Sequence, residues 1–274
     1  MKILISVDME GITGVTCPDD VEYGQARWEY SRHLMMSDVN SAVEGFATAG
    51  ATEIVVNDAH STKRNLLLDE LDDRAAAIIG THKELGMLEG AEDADAVAFL
   101  GYHTGAGRQG VLSHTYIGQT IVSVSLNGDE LNEGRMNSLL AAEIGVPVVL
   151  VTGDDLTCQD ARSWAPQAEV VAVKTCIDRY TARCLTPRVS AQLISAAASR
   201  ALDTISPVQS PTGPFNFEVE FDAVQPVVAC TAIPGVERRG DRCVGFTLPT
   251  MREAVRCFKV VTVVAGASTE MHYG

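Results

Sequence analysis

Five side chains that can bind a metal ion each follow a short apolar run or lie in a predicted helix. They are Asp8, Glu10, His60, His103 and Glu133. Asp8 and Glu10 end the first apolar run two residues apart, so in a strand both side chains point to the same side. Two carboxylates this close repel each other unless a proton or a cation lies between them. The spacing therefore predicts a cation site where this strand ends.

The types of side chain in this set indicate which cation it takes. Oxygen and nitrogen ligands without a thiolate suit borderline divalent ions, zinc above all, with manganese or cobalt as alternatives. Three carboxylates and one bridging hydroxide balance two divalent ions, whereas one ion would leave a negative, desolvated site. We expect Asp8 to bridge two zinc ions, with Glu10 and His60 completing the first. His103 and Glu133 then complete the second, and the pair lowers the pKa of bound water toward about 7.

Hydrolysis also needs a group that handles protons, and His114 is the candidate catalytic residue. It follows the glycine-rich stretch 105–110, and an imidazole with a pKa of about 6.5 serves as acid, base or hydrogen-bond donor. Asp58, two residues before His60, either orients that imidazole or caps a turn. Asn137 either holds substrate or satisfies its own helix face. The residues alone leave both alternatives open.

Apolar runs alternate with helical patterns through the first two-thirds of the chain, which predicts an α/β fold with a mostly parallel sheet sandwiched by helices. Ligands of such sheets collect at the carboxyl ends of the strands, where the five side chains would meet. Asn127-Gly128 indicates an antiparallel excursion on this sheet. Strands are predicted over 3–7, 52–57, 75–80, 96–101, 121–126, 147–152 and 170–173, and helices over 27–49, 129–144 and after 153–155.

A proline- and glycine-rich segment, 206–214, is the best domain boundary in the sequence. Beyond it, residues 215–222 alternate apolar and polar, as in a half-buried antiparallel strand, and a last helix is predicted near 250–265. We therefore predict an α/β catalytic domain over 1–205 and a small α+β appendage over 206–274. The appendage either builds an oligomer interface or covers the site.

Composition excludes several classes of partner. The net charge of −15 argues against nucleic acid and anionic membranes, since both require a basic face. Seven cysteines, an odd number without a C-x-x-C pair, are typical of reduced thiols in a cytoplasmic protein. The apolar stretch 260–267 is too short to span a bilayer. The apolar stretch at the N-terminus is interrupted by Asp8, so it is too short for the apolar core of a secretion signal.

Short motifs carry a resemblance that runs through most of the chain. They are Val7-Asp8-Met9-Glu10-Gly11, Asn57-Asp58-Ala59-His60-Ser61, Leu100-Gly101-Tyr102-His103, Ser113-His114, Asn132-Glu133-Gly134, Gly153-Asp154-Asp155 and Ala172-Val173-Lys174. Together they resemble the bacterial D-aminopeptidase family of the dipeptide-transport operon. The resemblance implies a binuclear zinc aminopeptidase that acts on short peptides with an N-terminal D-residue. It also implies the five ligands named above, catalysis by His114, and a homodecamer of two stacked five-membered rings.

Other functions fit part of the pattern. A related metal-dependent amidase could take L-peptides or non-peptide amides, because nothing in the residues encodes the handedness of the substrate. A magnesium phosphohydrolase with an aspartate nucleophile would explain Asp8 and Asp154, but magnesium rarely takes imidazole and leaves the histidines without a role. A ring-forming metal-storage or peptide-binding protein would use the same ligands in a closed site.

Overall fold

A computed structural model describes residues 1–203 and 205–269, and a seven-stranded sheet lies at its centre. Six of its strands run parallel, and the seventh, at one edge, is antiparallel because it forms a hairpin with its neighbour. The strands are β1 (Lys2–Val7), β2 (Glu53–Asp58), β3 (Ala75–Ile78), β4 (Ala96–Leu100), β7 (Val148–Asp154), β8 (Glu169–Asp178) and β9 (Thr181–Cys184).

The order of the strands, β3-β2-β1-β4-β7-β8-β9, places β1 between β2 and β4. Val7 pairs with Asp58 on one side and with Leu100 on the other, so the three strands end level with one another. All five side chains of β1 after Lys2 are buried, as expected for a central parallel strand. The loops after these strands therefore leave the sheet side by side.

Helices cover the sheet, which confirms the predicted α/β class. They are α1 (Ala26–Thr48), α2 (Glu133–Ile144), α3 (Asp155–Trp164), α4 (Pro187–Ala201), α5 (Gln225–Cys230) and α6 (Met251–Ala267). The apolar residues of α1 and α4 pack with one face of β1 in one core, and α2 and α6 belong to the core on the other face. Helix α4 is absent from the sequence prediction.

A second sheet of five strands corrects the interpretation of Asn127-Gly128. These residues do form a hairpin turn, but the hairpin lies in an antiparallel sheet of order β11-β12-β10-β5-β6 and not in the parallel sheet. The predicted helix over 129–144 begins only at Glu133, because 129–130 complete the hairpin and Asn132 is the N-cap. The strands are β5 (Ile121–Leu126), β6 (Asp129–Glu130), β10 (Phe215–Phe221), β11 (Glu237–Arg238) and β12 (Cys243–Leu248).

The second sheet joins residues from both sides of the predicted boundary, because β10 pairs with β5 along its length. Alternate residues of β10 are buried, as its pattern predicted. The division into 1–205 and 206–274 stays a prediction. All seven cysteines are free thiols. Among the described residues, no helix combines the length and the apolar character needed to cross a bilayer.

Candidate metal centre

The neighbouring ends of β1, β2 and β4 bring the predicted side chains together. Asp8 follows β1 directly, and His60 and His103 stand two and three residues beyond the ends of β2 and β4. Glu133 occupies the first turn of α2, and His114 comes from the loop after β4. All of these side chains except the part-buried His114 are buried, with exposures of 3–7%. The loops thus form one cluster from distant parts of the sequence.

His60 lies against the two carboxylates of the first motif. Its Nδ1 is 3.1 Å from Asp8 Oδ1 and 3.1 Å from Glu10 Oε2. The other oxygen of Asp8, Oδ2, is 3.5 Å from Nε2 of His103. The two oxygens of Asp8 therefore face two different imidazoles, which is the arrangement of a carboxylate that bridges two positions.

His103 and His114 form the other half of the cluster around Glu133. His103 Nε2 is 3.6 Å and His114 Nε2 is 4.0 Å from Glu133 Oε1. The two rings stack at 4.2 Å with an interplanar angle of 9°. His114 Nε2 is also 3.9 Å from Glu10 Oε1, so this ring faces both halves of the cluster. The sequence pattern did not predict that His114 lies this close to potential metal ligands.

Each of the three imidazoles is held from behind by a backbone carbonyl. The contacts are His60 Nε2 to Val21 O, His103 Nδ1 to Thr104 O, and His114 Nδ1 to Leu112 O, each at 2.9 Å. A carbonyl only accepts, so the proton of a neutral ring lies on that side. The nitrogen that faces the cluster then offers its lone pair, which is the orientation found in metal-binding histidines.

The buried negative charge of the cluster demands positive charge nearby. Burial disfavours the charged form of Asp8, yet the nearby imidazoles of His103 and His60 hold its pKa well below its usual range. Burial would lower the pKa of His103, but Glu133, Asp8 and Glu10 outweigh it and raise this pKa to about 10. The pKa of His60 is raised well above its usual value by Glu10 and Asp8, against the effect of burial.

Two buried atoms of the cluster lack a hydrogen-bond partner among the described residues, namely Glu10 Oε2 and His103 Nε2. Unpartnered buried polar atoms are rare and often face an ion or water. The cluster contains two groups of three potential ligands, and within each group the ligand atoms lie within 4.8 Å of one another. The groups are Asp8-Glu10-His103 and His103-His114-Glu133, so His103 belongs to both. Carboxylate oxygens and imidazole nitrogens at this spacing fit zinc.

A buried lysine holds the loop that carries Glu10. Lys174, in β8, is 1% exposed, and its ammonium donates hydrogen bonds to the carbonyls of Glu10 (2.6 Å), Ile12 (2.9 Å) and Val15 (2.6 Å). The sequence gives one signal for it, an apolar strand interrupted by a lysine, but not its partners. The lysine fixes the path of the chain immediately after Asp8.

Asp58 and Asn137 support the cluster without entering it. Asp58 accepts hydrogen bonds from the backbone N–H groups of Asn65 and Leu66 and from the Asn65 side chain, which donates in turn to the His60 carbonyl. Asp58 is therefore a turn residue and not the hydrogen-bond partner of the His60 ring. Asn137 is buried against Tyr102 Oη (3.4 Å) in the core, which favours its structural alternative.

Comparison with known proteins identifies the family. The model of the family described as D-aminopeptidase matches residues 1–260. The chain belongs to the D-aminopeptidase family. A relative named D-aminopeptidase, from Bacillus subtilis (strain 168), is 34% identical over 272 residues, covering 97% of this chain and 98% of the relative. The resemblance carried by the motifs is thus confirmed, and so is the prediction of a peptidase-family enzyme.

A solved structure of this family has the same fold. It is the Zn-dependent D-aminopeptidase DppA from Bacillus subtilis, described as a self-compartmentalizing protease. The TM-score is 0.93 at 31% identity, with 98% of this chain and 100% of that chain covered. The zinc dependence of that enzyme is consistent with the nitrogen and oxygen donors that lie together in this chain.

Proposed function

We propose that this chain is a binuclear zinc aminopeptidase that hydrolyses short peptides or amides with an N-terminal D-amino acid such as D-Ala. The observation that carries the proposal is the convergence of three carboxylates and three imidazoles, with unpartnered buried atoms between them, in one cluster that borders a cavity. The choice of zinc and of D-residues rests on the family and on the relatives described above.

Asp8, Glu10, His60, His103 and Glu133 are the proposed ligands of two zinc ions per chain. The bridging role of Asp8 is supported by its two oxygens, which face His60 and His103 separately. Glu10 belongs with His60 at 3.1 Å, and Glu133 with His103 at 3.6 Å. These distances support the proposed division of the ligands between two positions.

His114 is the proposed catalytic residue. Zinc bound at this centre supplies Lewis acidity and lowers the pKa of water to about 7. His114 Nδ1 is tied to the Leu112 carbonyl, so Nε2 remains for exchange of a proton with the reacting groups. Its side chain is 17% exposed and lines the cavity, where a substrate reaches it. In this position it protonates the departing amine or donates a hydrogen bond to the oxyanion.

A panel of substrates tests the proposal directly. Zinc-loaded protein is assayed with the D- and L-forms of alaninamide and of the Ala-Ala dipeptide, and with a phosphate ester. We expect turnover of the D-forms and about two zinc ions per chain. His114→Ala should lose turnover while keeping its zinc. The matched control is His33→Ala, an exposed histidine on α1, which should keep both.

Two results would overturn the assignment. Turnover of the phosphate ester without turnover of amides would favour the magnesium phosphohydrolase, which the imidazole-rich cluster disfavours. Undiminished turnover by His114→Ala would remove that residue from the mechanism. A preference for the L-forms would leave the proposed metal-dependent hydrolysis in place, but the substrate would then be that of an L-amidase.

We propose further that the protein is a cytoplasmic homodecamer of two five-membered rings. The related DppA structure is described as self-compartmentalizing, which supports an assembly with enclosed sites. Ten chains of 29.2 kDa give a mass of about 290 kDa, which light scattering on the eluted protein would measure. We also propose 206–274 as the appendage, attached to the catalytic part through the pairing of β10 with β5.

A further inference from the structure

Two lysines share a cavity with the carboxylates of the metal centre. The cavity has a volume of about 310 Å³, and its lining includes Lys63, Lys259, Asp8, Glu10 and Glu133. Ligand pockets range from about 300 to 1,000 Å³, so this one suits a small molecule. The proposed mechanism uses the acidic groups and His114 but gives the lysines no role.

The two ammonium groups come from different elements. Lys63 lies in the turn after β2 in a left-handed conformation (φ 57°), and its Nζ donates to the Ala59 carbonyl. Lys259, on α6, donates from Nζ to the carbonyls of Lys83 and Glu84, the latter at 3.2 Å. These acceptors are neutral. Within 1–203 and 205–269, neither ammonium has a carboxylate oxygen within 4.0 Å.

Unneutralised positive charge in a half-buried cavity is costly, particularly when two like charges are near each other. Burial lowers the pKa of Lys259, the more distant Glu89 raises it, and the charge of Lys63 lowers it again. Two ammonium groups without an ion-pair partner in one cavity are unusual in a molecule that is strongly acidic as a whole. A bound anion that accepts hydrogen bonds from both ammonium groups would compensate both charges.

We infer that Lys63 and Lys259 bind the C-terminal carboxylate of the peptide whose N-terminal amide bond lies at the metal centre. The inference rests on the proposed function and deepens it, because it assigns a specificity for short peptides with a free C-terminus. A peptide longer than the cavity could not place its carboxylate at the lysines and its first amide bond at the zinc ligands together. A free inorganic anion, such as phosphate, has the same chemistry and is the alternative occupant.

The test compares two substrates with the same scissile bond, D-Ala-D-Ala and its C-terminal amide. For wild type we expect a lower KM for the free acid than for the amide. Lys259→Met and Lys63→Met should raise the KM for the acid at least about tenfold more than the KM for the amide, or about 1.4 kcal/mol. Lys259→Arg should restore much of the difference. Arg256→Met, an exposed position on α6 outside the cavity lining, is the matched control.

Calorimetric binding of the same two peptides, and inhibition by inorganic phosphate, complete the experiment. Tighter binding of the acid than of the amide by wild type, with this difference lost in Lys259→Met, supports the carboxylate site. This holds even if neither peptide is hydrolysed, because absence of hydrolysis would contradict the proposed function alone. Equal binding and equal KM for acid and amide in wild type would overturn the inference. Competition by phosphate without discrimination between acid and amide would assign the lysines to a free anion instead.

Discussion

Replacing Lys174 with methionine tests how the fold fixes the metal centre. Methionine has a similar length and no charge, so Lys174→Met removes the donor while keeping most of the packing. The carbonyls of Glu10, Ile12 and Val15 would then lose the ammonium that binds them at 2.6–2.9 Å. Because Glu10 is a proposed ligand, the substitution should affect both the stability of the fold and the binding of zinc.

The size of the effect follows from two opposed contributions. A buried carbonyl left without a donor costs about 2 kcal/mol, so three such groups cost about 6 kcal/mol. Burial lowers the pKa of Lys174 from 10.5 to about 8, and removing this charge returns about 3 kcal/mol at 1.36 kcal/mol per pKa unit. We therefore expect Lys174→Met to lower the free energy of unfolding by about 3 kcal/mol.

Lys83→Met is the matched control. Lys83 is also buried, its pKa is also lowered to about 8 by burial, and its ammonium binds three oxygens, on Asn57, Asp58 and Ile78. Denaturant unfolding of the zinc-free proteins should give similar losses for both variants. Zinc titration should show a larger loss of affinity for Lys174→Met, since only Lys174 holds the Glu10 loop. Equal zinc affinity in both variants would refute the role given to Lys174.

Two further substitutions test a close packing contact and the titration of a buried carboxyl group. In Gly11→Ala, the new Cβ would lie 2.1 Å from Tyr102 O, so we expect the free energy of unfolding, measured with denaturant, to fall by about 3 kcal/mol. The control is Gly266→Ala, whose new Cβ would have its nearest atom at 3.6 Å and should cost far less. Equal losses in the two variants would contradict the close approach at Gly11. Burial raises the pKa of Asp38 from 3.8 to about 6, so the native state binds more protons between these pH values and its stability falls as pH rises through them. Asp38→Asn cannot titrate at this position. The difference between its free energy of unfolding and that of wild type should therefore rise by ~3 kcal/mol from pH 3.5 to 7. A difference that does not change with pH would contradict the raised pKa.

The sequence predicted the cluster well because its signals were local. Asp8, His60 and His103 each follow an apolar run, and the rule that parallel strands end at one edge places them together without knowledge of the strand order. The motifs around these residues added the family, which the comparisons confirm. Local patterns of this kind survive folding, because a central parallel strand is buried whatever its neighbours are.

The contacts that sequence reasoning missed depend on pairings across long separations. Lys174 donates to a carbonyl 164 residues away, and Lys259 reaches the loop at Glu84 over 175 residues. The hairpin at Asn127-Gly128 was predicted correctly as a turn but assigned to the wrong sheet, since a turn signal does not specify which strand its partners meet. These features follow from tertiary packing, which local sequence patterns do not encode.

The position of β1 in the sheet explains why Asp8 is the proposed bridge. Neighbouring strands lie about 4.8 Å apart, and a pair of catalytic ions about 3.5–4 Å apart. A carboxylate at the end of the central strand therefore reaches both positions, while His60 after β2 and His103 after β4 each reach one. A carboxylate after either neighbouring strand would lie about one strand spacing further from one of these two imidazoles. The topology β2-β1-β4 thus supports the proposed bridging role of Asp8.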